Sequence, residues 1–350
     1  MPIKPEVSVL MPVRDAAEWL VEAVESIRAQ TASSWELIAV DDGSRDDTAR
    51  LLAEQARCDP RIRVIATRGS ARGIVPALNL ALREACGRYV ARMDADDVAA
   101  PTRFADQCAL LGADSSLTAV TCAAEGFPEN ALGDGMRRYV DWQNQLVDPA
   151  HLRRDRFVES PLIAPTLIIR AEFLRDALDG WADHGWPEDW DLVLRLHEVG
   201  GRIARVPRTL HRWRQHARQA TRLDPRYHAE RLLAVRAHYL ARFLTAGSVA
   251  VDRSIWLLGA GPVGKSLAEA LVRAGCEIGG FAEVDAGKIG NHVQRVGRRW
   301  PVVSMEELLA AGPAERYAVA SVGRAGARGR IRAFMTAAGW VEERDFITAA

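Results

Sequence analysis

Apolar and polar positions follow two rhythms along the first hundred residues. "VSVLMPV", "ELIAVDDGS", "RIRVIAT" and "YVARMDADD" each begin as short apolar runs with β-branched residues, which predicts strands. Between them, "AAEWLVEAVESIRAQ", "DDTARLLAEQAR" and "GIVPALNLALREACG" place apolar side chains at helical spacing, the last ending at Gly87. Strands alternating with helices of this length predict parallel βαβ units. Ligands of such sheets bind beyond the carboxyl ends of the strands. Three polar clusters fall at such ends: Pro12–Asp15, Asp41–Gly43 and Asp94–Asp97.

The rhythm weakens from about 112 to 165, where "EGFPENALGDGMRRYVDWQNQLVDP" reads as an insertion that shapes an acceptor pocket. "APTLIIRAEFL" then predicts a strand into a helix, and "GWPEDWDLVLRLHEVG" a turn into a helix. "RIARVP" is a short strand, "LHRWRQHARQATRLDPRYH" is basic and irregular, "AERLLAVRAHYLARFL" is a helix, and "TAGSVAVDR" is a linker. A second α/β alternation begins at 254 with "SIWLLGAGPVGKSLAEALVRAG" and ends at "DFITA". The expected organisation is therefore α/β throughout: a first domain over 1–225, a helix and linker over 226–251, and a small doubly wound domain over 252–350.

Composition narrows this picture. The chain has 350 residues, more than one core usually serves. Its 46 Lys plus Arg equal its 46 Asp plus Glu, which gives no reason to expect nucleic acid as a partner. No apolar run approaches the roughly 20 residues of a membrane-spanning helix, and the start lacks a signal-peptide pattern. Peripheral membrane contact stays open. Five scattered cysteines suggest neither a disulfide framework nor a CxxC metal site, so a reduced, cytoplasmic protein is expected.

The strand ends carry the chemistry. Asp42-Gly43 suits a turn, and Ser44 or Asp46 suits a helix cap. Asp41 is less easily explained, because the last residue of a parallel strand is usually apolar; a carboxylate there can accept an N–H from a base edge. Asp94, Asp96 and Asp97 crowd one strand end. Two carboxylates at i and i+2 can converge on a hard cation such as Mg²⁺ or Mn²⁺, which would relieve their repulsion, while Asp97 caps the helix that follows. Glu188, Asp189 and Asp191 open a helix, where acids favour the macrodipole and one could act as general base. Arg212, Arg214, Arg218 and Arg222, with His211 and His216, form the densest basic stretch, suited either to solvent or to a diphosphate.

These clusters, in this order over roughly 5–225, resemble family 2 glycosyltransferases of the GT-A fold. The matching stretches are "SVLMPVRDAAEWLVEAVESIRAQT", "ELIAVDDGSRDDT", "GIVPALNLALREACGRYVARMDADD", "PEDWDLVLRL" and "WRQHARQAT". The resemblance implies a metal-dependent inverting transfer of a sugar from a nucleotide-diphosphate donor to a hydroxyl acceptor, as in polysaccharide biosynthesis. It implies that Asp41 contacts the nucleobase and that Pro12, Val13, Arg14 and Asp15 line the nucleoside. Asp94 and Asp96 form the DxD motif on the cation and diphosphate, with Asp96 the firmer direct ligand. Of Glu188-Asp189, Asp189 supplies the general base. A downstream His or Arg commonly helps hold the metal-diphosphate, which points to His216 and Arg214. The chain departs from the pattern at Ala164, where relatives often carry His.

In the second alternation, Gly259, Gly261 and Gly264 form GxGxxG between a strand and a helix, and Glu283 lies about 20 residues on at the end of the next strand. That is the context of a dinucleotide fingerprint, and the unit resembles small Rossmann-like domains. "GAGPVGKS" also satisfies the Walker pattern GxxxxGK[ST], but the acids of the later "FAEVD" strand favour the Rossmann reading; the unit is expected either to bind a nucleotide or dinucleotide or to serve in assembly. Two other functions remain open: an NAD(P)-dependent oxidoreductase built on this motif, and a non-catalytic nucleotide-sugar-binding protein.

Overall fold

The computed structural model describes residues 4–67, 72–246, 252–324 and 326–350. The chain divides into two compact units, Met1–Arg153 with Pro161–Leu223, and Arg154–Ser160 with Asp224–Ala350.

The first unit is built on eight strands: β1 (Val7–Val13), β2 (Trp35–Asp41), β3 (Ile62–Ala66), β4 (Tyr89–Arg92), β5 (Val98–Ala99), β6 (Ala119–Phe127), β7 (Ile168–Arg170) and β8 (Ile203–Arg214). Their order is β3-β2-β1-β4-β7-β6-β8-β5. The first four are mutually parallel, so β1, β2 and β4 deliver their carboxyl ends to one edge. β7 is antiparallel to both β4 and β6, β8 is parallel to β6, and β5 is antiparallel to β8. Helices cover both faces. Leu20–Arg28 buries Leu20, Ala23, Val24 and Ile27, one stripe at helical spacing, in a cluster shared with Leu52, Phe104 and Leu111. Ile74–Glu84 and Glu188–Glu198 pack Leu78, Leu82, Leu192 and Leu196 into the cluster on the opposite face.

Two segments differ from expectation. The stretch read as an insertion contains β6, an interior strand. Its first six residues, Ala119–Ala124, are all buried, so small side chains fill both faces and no alternation marks it. The basic stretch after "RIARVP" is no irregular loop at its start, because β8 runs on to Arg214. There Leu210, His211 and Trp213 are buried while Arg212 is exposed, and the outward arginines hid the strand. The register of β8 against β6 shifts near Cys122–Ala124, and the pairing continues to Phe127 and Arg214.

The second unit carries β9 (Ser254–Leu258), β10 (Ile278–Glu283), β11 (His292–Arg295), β12 (Arg298–Ser304), β13 (Arg316–Ala320) and β14 (Phe346–Thr348) in the order β11-β12-β10-β9-β13-β14. All neighbours are parallel except the β11–β12 hairpin, which turns through Val296 and Gly297, both at positive φ. The helix Ala229–Thr245 belongs to this unit, and so does the short segment 154–160. That segment is held by charge. Buried Asp155 meets Arg328 at 3.5 Å and also takes Arg332, Arg156 pairs with Glu343, and Arg236 donates to the Val158 carbonyl.

Replacing Asp155 removes the carboxylate shared by Arg328 and Arg332, of which Arg332 keeps Glu342. Asp155→Ala is expected to lower unfolding stability by about 3 kcal/mol, the order found when a buried ion pair loses one partner. Urea unfolding of the intact chain checks this; an unchanged midpoint contradicts it.

Candidate active site

The loops after β1 and β2 are stitched together. The Asp15 N–H donates to Ser44 Oγ (3.0 Å), Asp15 Oδ1 accepts the Arg45 N–H (2.7 Å), and the Ala16 and Ala17 N–H groups reach Thr48 Oγ1 and Asp46 Oδ2. Asp15 itself takes a left-handed conformation (φ 49°), a strained backbone that these bonds hold in place. Ser44, Asp46 and Thr48 thus bind another loop as well as shape their own turn. Pro12, Val13 and Arg14 lead into this junction, with Arg14 exposed. Asp41 is buried at the end of β2, and its Oδ1 accepts the Ser44 N–H (3.0 Å). Asp42 does more than make a turn. Its two oxygens accept the Arg72 and Gly73 N–H groups at 2.8 Å each, fixing the entry to the helix Ile74–Glu84. An acid beside a glycine reads first as a turn, which is why this link was missed.

At the end of β4 the three acids separate by environment. Carboxylate oxygens of Asp94, Asp96 and Asp97 lie within 4.8 Å of one another. Asp94 accepts from Arg92 Nε (3.2 Å), and burial raises its pKa while the Arg92 charge opposes the rise. Asp96 Oδ2 meets His216 Nε2 at 2.8 Å. The Arg218 N–H donates to His216 Nδ1 (3.2 Å), so Nε2 carries the proton and donates to Asp96. The His216 ring packs on Trp19, centroids 3.9 Å apart, and the Arg218 guanidinium also lies over the Trp19 ring. In this arrangement His216 aims the Asp96 carboxylate.

Asp97 is no helix cap. It is fully buried, accepting from the Arg214 N–H and meeting His211 Nε2, both at 2.8 Å. Behind it, buried Arg103 donates to His211 Nδ1 (3.3 Å), to the Arg92 carbonyl (3.0 Å) and to Gln107 (3.1 Å). Arginine can only donate, so His211 is an Nε2–H tautomer that donates to Asp97. Burial, then the Arg103 charge, pushes the His211 pKa well below 6.5 and keeps the ring neutral. Burial, then the neighbouring Asp96 and Asp94, pushes Asp97 well above the usual carboxylate range. The helix that Asp97 was expected to cap starts at Arg103 with Thr102 before it. Arg214 donates through Nε to the Asp96 carbonyl (2.6 Å), pairs with Glu22 and lies over Phe127.

The helix Glu188–Glu198 opens beside this cluster. Glu188 is fully buried and accepts from Arg92 NH1 (3.0 Å), while Asp191 is spent on Trp186 (2.8 Å) and Arg195 (2.7 Å). Asp189 is partly exposed, with Oδ1 accepting the Trp190 N–H. Protein on most sides of its carboxyl, then the charge of Glu188, raises its pKa to about 7. Of the three acids here, Asp189 is the one with both an accessible carboxyl and a pKa suited to accept a proton near neutrality. The structure thus brings Asp94, Asp96, Glu188, Arg214 and His216 together. Arg92 and Trp19 join them without a signal in the sequence, as partners distant in the chain.

In the second unit, Gly259 has φ 100°, and a Cβ there would meet Val322 at 2.7 Å. A Cβ on Gly264 would lie 2.1 Å from the Gly259 carbonyl oxygen, so helix and turn are in backbone contact. A Cβ on Gly261 would meet nothing within 4 Å. The helix begins at Pro262, so the residues between Gly259 and Gly264 do not form the four-residue loop that a Walker motif needs to cradle phosphates, and that reading is set aside. Glu283 is buried at the end of β10, paired with Lys288 (2.7 Å).

A model of the family described as "Glycosyl transferase family 2" matches residues 8–177. An uncharacterized glycosyltransferase of Haemophilus influenzae is 31% identical over 224 residues, 62% of this chain and 68% of that relative. Further relatives, 36% to 40% identical, are covered over only 14% to 38% of their own length. Among solved structures, S. aureus TarS 1-349 in complex with UDP-GlcNAc aligns with a TM-score of 0.55 at 17% identity, over 77% of this chain and 72% of that one. The mannosyltransferase PcManGT from Pyrobaculum calidifontis, in complex with GDP-Man and Mn²⁺, aligns with a TM-score of 0.52 at 20% identity, over 98% of this chain and 83% of that one. These likenesses show the fold, and the GT-A-like α/β arrangement expected from the sequence is borne out.

Asp189 is expected to titrate near pH 7. Carboxyl ¹³C NMR of the metal-free protein should show one resonance with a midpoint near 7 that vanishes in Asp189→Asn; a midpoint below 5 contradicts the assignment.

Proposed function

The chain belongs to glycosyl transferase family 2, and we propose that it moves a sugar from a nucleoside diphosphate donor to a hydroxyl acceptor with inversion. One observation carries this reading. An accessible carboxyl with a pKa near 7, Asp189, follows Glu188 at a helix start, and Arg92 joins that Glu188 to Asp94 of a cluster of three acids. Hydrolysis or binding of a UDP- or GDP-sugar is the natural first assay, since the structural neighbours hold UDP-GlcNAc and GDP-Man.

In this reading, Pro12–Asp15 and Asp41 line the nucleoside, with Asp41 accepting from the base edge. The donor set fits a hard divalent cation: carboxylate oxygens within 4.8 Å, no sulfur, and a mutual repulsion that a cation relieves. Asp94 and Asp96 would hold it, with His216 orienting Asp96, and both oxygens of Asp97 committed to His211 and Arg214. Bound Mn²⁺ or Mg²⁺ would offset the charge of the diphosphate as the glycosidic C–O bond breaks. Arg214 adds a fixed positive charge to the same edge. As the anomeric centre becomes oxocarbenium-like, the acceptor oxygen approaches from the opposite face. Asp189 takes the proton from that hydroxyl. Burial and the charge of Glu188 have raised its basicity to match, while Glu188, paired with Arg92, holds the helix start in place.

For the second unit, a Rossmann-like role fits best. The strand order outward from β9 and the three glycines suit a nucleotide or dinucleotide whose phosphates lie over Gly261, with Glu283 toward the ribose. Among the described residues no helix is long and apolar enough to cross a membrane, and all five cysteines are free; we place the enzyme in the cytoplasm.

Two outcomes are expected. Asp189→Asn should lower kcat about 10²- to 10⁴-fold with donor binding retained, and wild-type kcat should rise with pH to a plateau above about 7, as the base loses its proton. Steady-state kinetics from pH 5.5 to 9 check this; an Asp189→Asn enzyme with full activity rules Asp189 out as the base, and a wild type that binds donor without any turnover points instead to a sensor. Separately, Gly261→Ala should fold normally, since its Cβ meets open space, yet weaken nucleotide or NAD(P) binding to the second unit. Gly264→Ala should destabilise the unit by clashing with the Gly259 carbonyl. Calorimetry with ATP and NAD(P) reads the first and thermal unfolding the second; equal ligand affinity in Gly261→Ala and wild type counts against the site.

A further inference from the structure

The polar groups behind the sheet edge converge on Arg92, the last residue of β4, which is 5% exposed. Its Nε donates to Asp94 Oδ1 at 3.2 Å and its NH1 to Glu188 Oε1 at 3.0 Å. Glu188 stands 96 residues further along the chain and is itself fully buried. The Arg92 carbonyl is fixed in turn by Arg103 NH2 at 3.0 Å. The two carboxylates belong to different parts of the proposed reaction. Asp94 is on the cation side, and Glu188 precedes Asp189 at the helix start.

A guanidinium is a rigid planar fork with donors at fixed angles. Two carboxylates bound to different edges of one fork cannot shift independently. Charge supplies a second constraint. Asp94 and Glu188 repel each other, and Arg92 is the positive charge common to both, in surroundings that screen charge weakly. A lysine could offset one acid as a point charge but could not hold both in a fixed relation.

Resting on the functional reading above, we propose that Arg92 is a positioning residue that locks the cation-side acid and the base-bearing turn into one arrangement. Arg92 touches neither donor nor acceptor in this account. It sets the relation between the group that holds the diphosphate and the group that receives the proton, the quantity on which in-line displacement depends most steeply.

The test is a double-mutant cycle in the full chain, with Arg92→Lys, Glu188→Gln and the pair. Three readouts apply: kcat and donor KM, Mn²⁺ binding by calorimetry, and urea unfolding of the metal-free protein. Glu188→Gln is expected to lower kcat at least tenfold with donor KM within about threefold. Arg92→Lys should lower kcat at least as far and weaken Mn²⁺ binding at least tenfold. The double variant should be no worse than Arg92→Lys within about twofold, because Glu188 acts through Arg92. Losses that multiply in the double variant, in kcat and in unfolding alike, overturn the proposal. If the wild type neither binds Mn²⁺ nor uses any nucleotide sugar, the functional reading fails by itself. The unfolding cycle still decides the bridge, with coupling supporting it and additivity overturning it. Should Arg92→Lys not fold, the pair Asp94→Asn and Glu188→Gln replaces it. Both then act through the same fork, so non-additive unfolding is expected and additive unfolding overturns the bridge.

Discussion

Like charges crowded into a water-poor edge are the constraint on which the site depends. Asp94, Asp96, Asp97 and Glu188 meet at the ends of β4 and of a distant helix start. Repulsion of this kind is large where water is scarce, and a fold tolerates it only by supplying compensating donors. The chain supplies them by distinct means. Arg92 is shared between Asp94 and Glu188, a neutral His211 held by Arg103 faces Asp97, and His216 braced on Trp19 faces Asp96. What these donors leave unmet at Asp94 and Asp96 is the basis for expecting a cation.

The sheet makes this crowding productive. Four parallel strands send β1, β2 and β4 to the same edge, so the nucleoside side and the acidic side of a donor can be met by loops a few residues long. The antiparallel entry of β7 and the long β8 then return the chain to that edge from the other direction. β8 brings His211 and Arg214 to Asp97, 114 and 117 residues away in sequence. Buried side chains such as Arg103 and Gln107 tie the strand ends to the sheet interior, so Asp97 is held from the fold's core, while Asp96 is held from the loop that follows β8.

The parts of the site that sequence made legible are those in which the residue type is itself anomalous. An acid ending a parallel strand, as at Asp41, or three within four positions, as at Asp94–Asp97, conflicts with local expectation, and a functional site is where such conflicts arise. The βαβ rhythm was legible for the same reason, since each helix needs a stripe at its own period. What stayed hidden was pairwise. Nothing near Arg92 announces Glu188, and nothing near Asp97 announces His211, so Asp97 read as a cap. β6 was hidden because burial on both faces by small residues erases alternation, and the end of β8 because its outward arginines masked the inward Leu210, His211 and Trp213. The Walker pattern in "GAGPVGKS" erred in the opposite direction. It is a true string match, and only the onset of the helix at Pro262 shows that the loop it requires is missing.

The most direct measurement is calorimetric titration of Mn²⁺ into the wild-type protein and Asp96→Asn, each with and without a panel of nucleotide sugars. One Mn²⁺ per chain is expected in the wild type, tightened by one particular donor, with at least a tenfold loss in Asp96→Asn and no loss of fold. Equal Mn²⁺ binding in the two proteins, or donor binding indifferent to both the ion and the substitution, would contradict this.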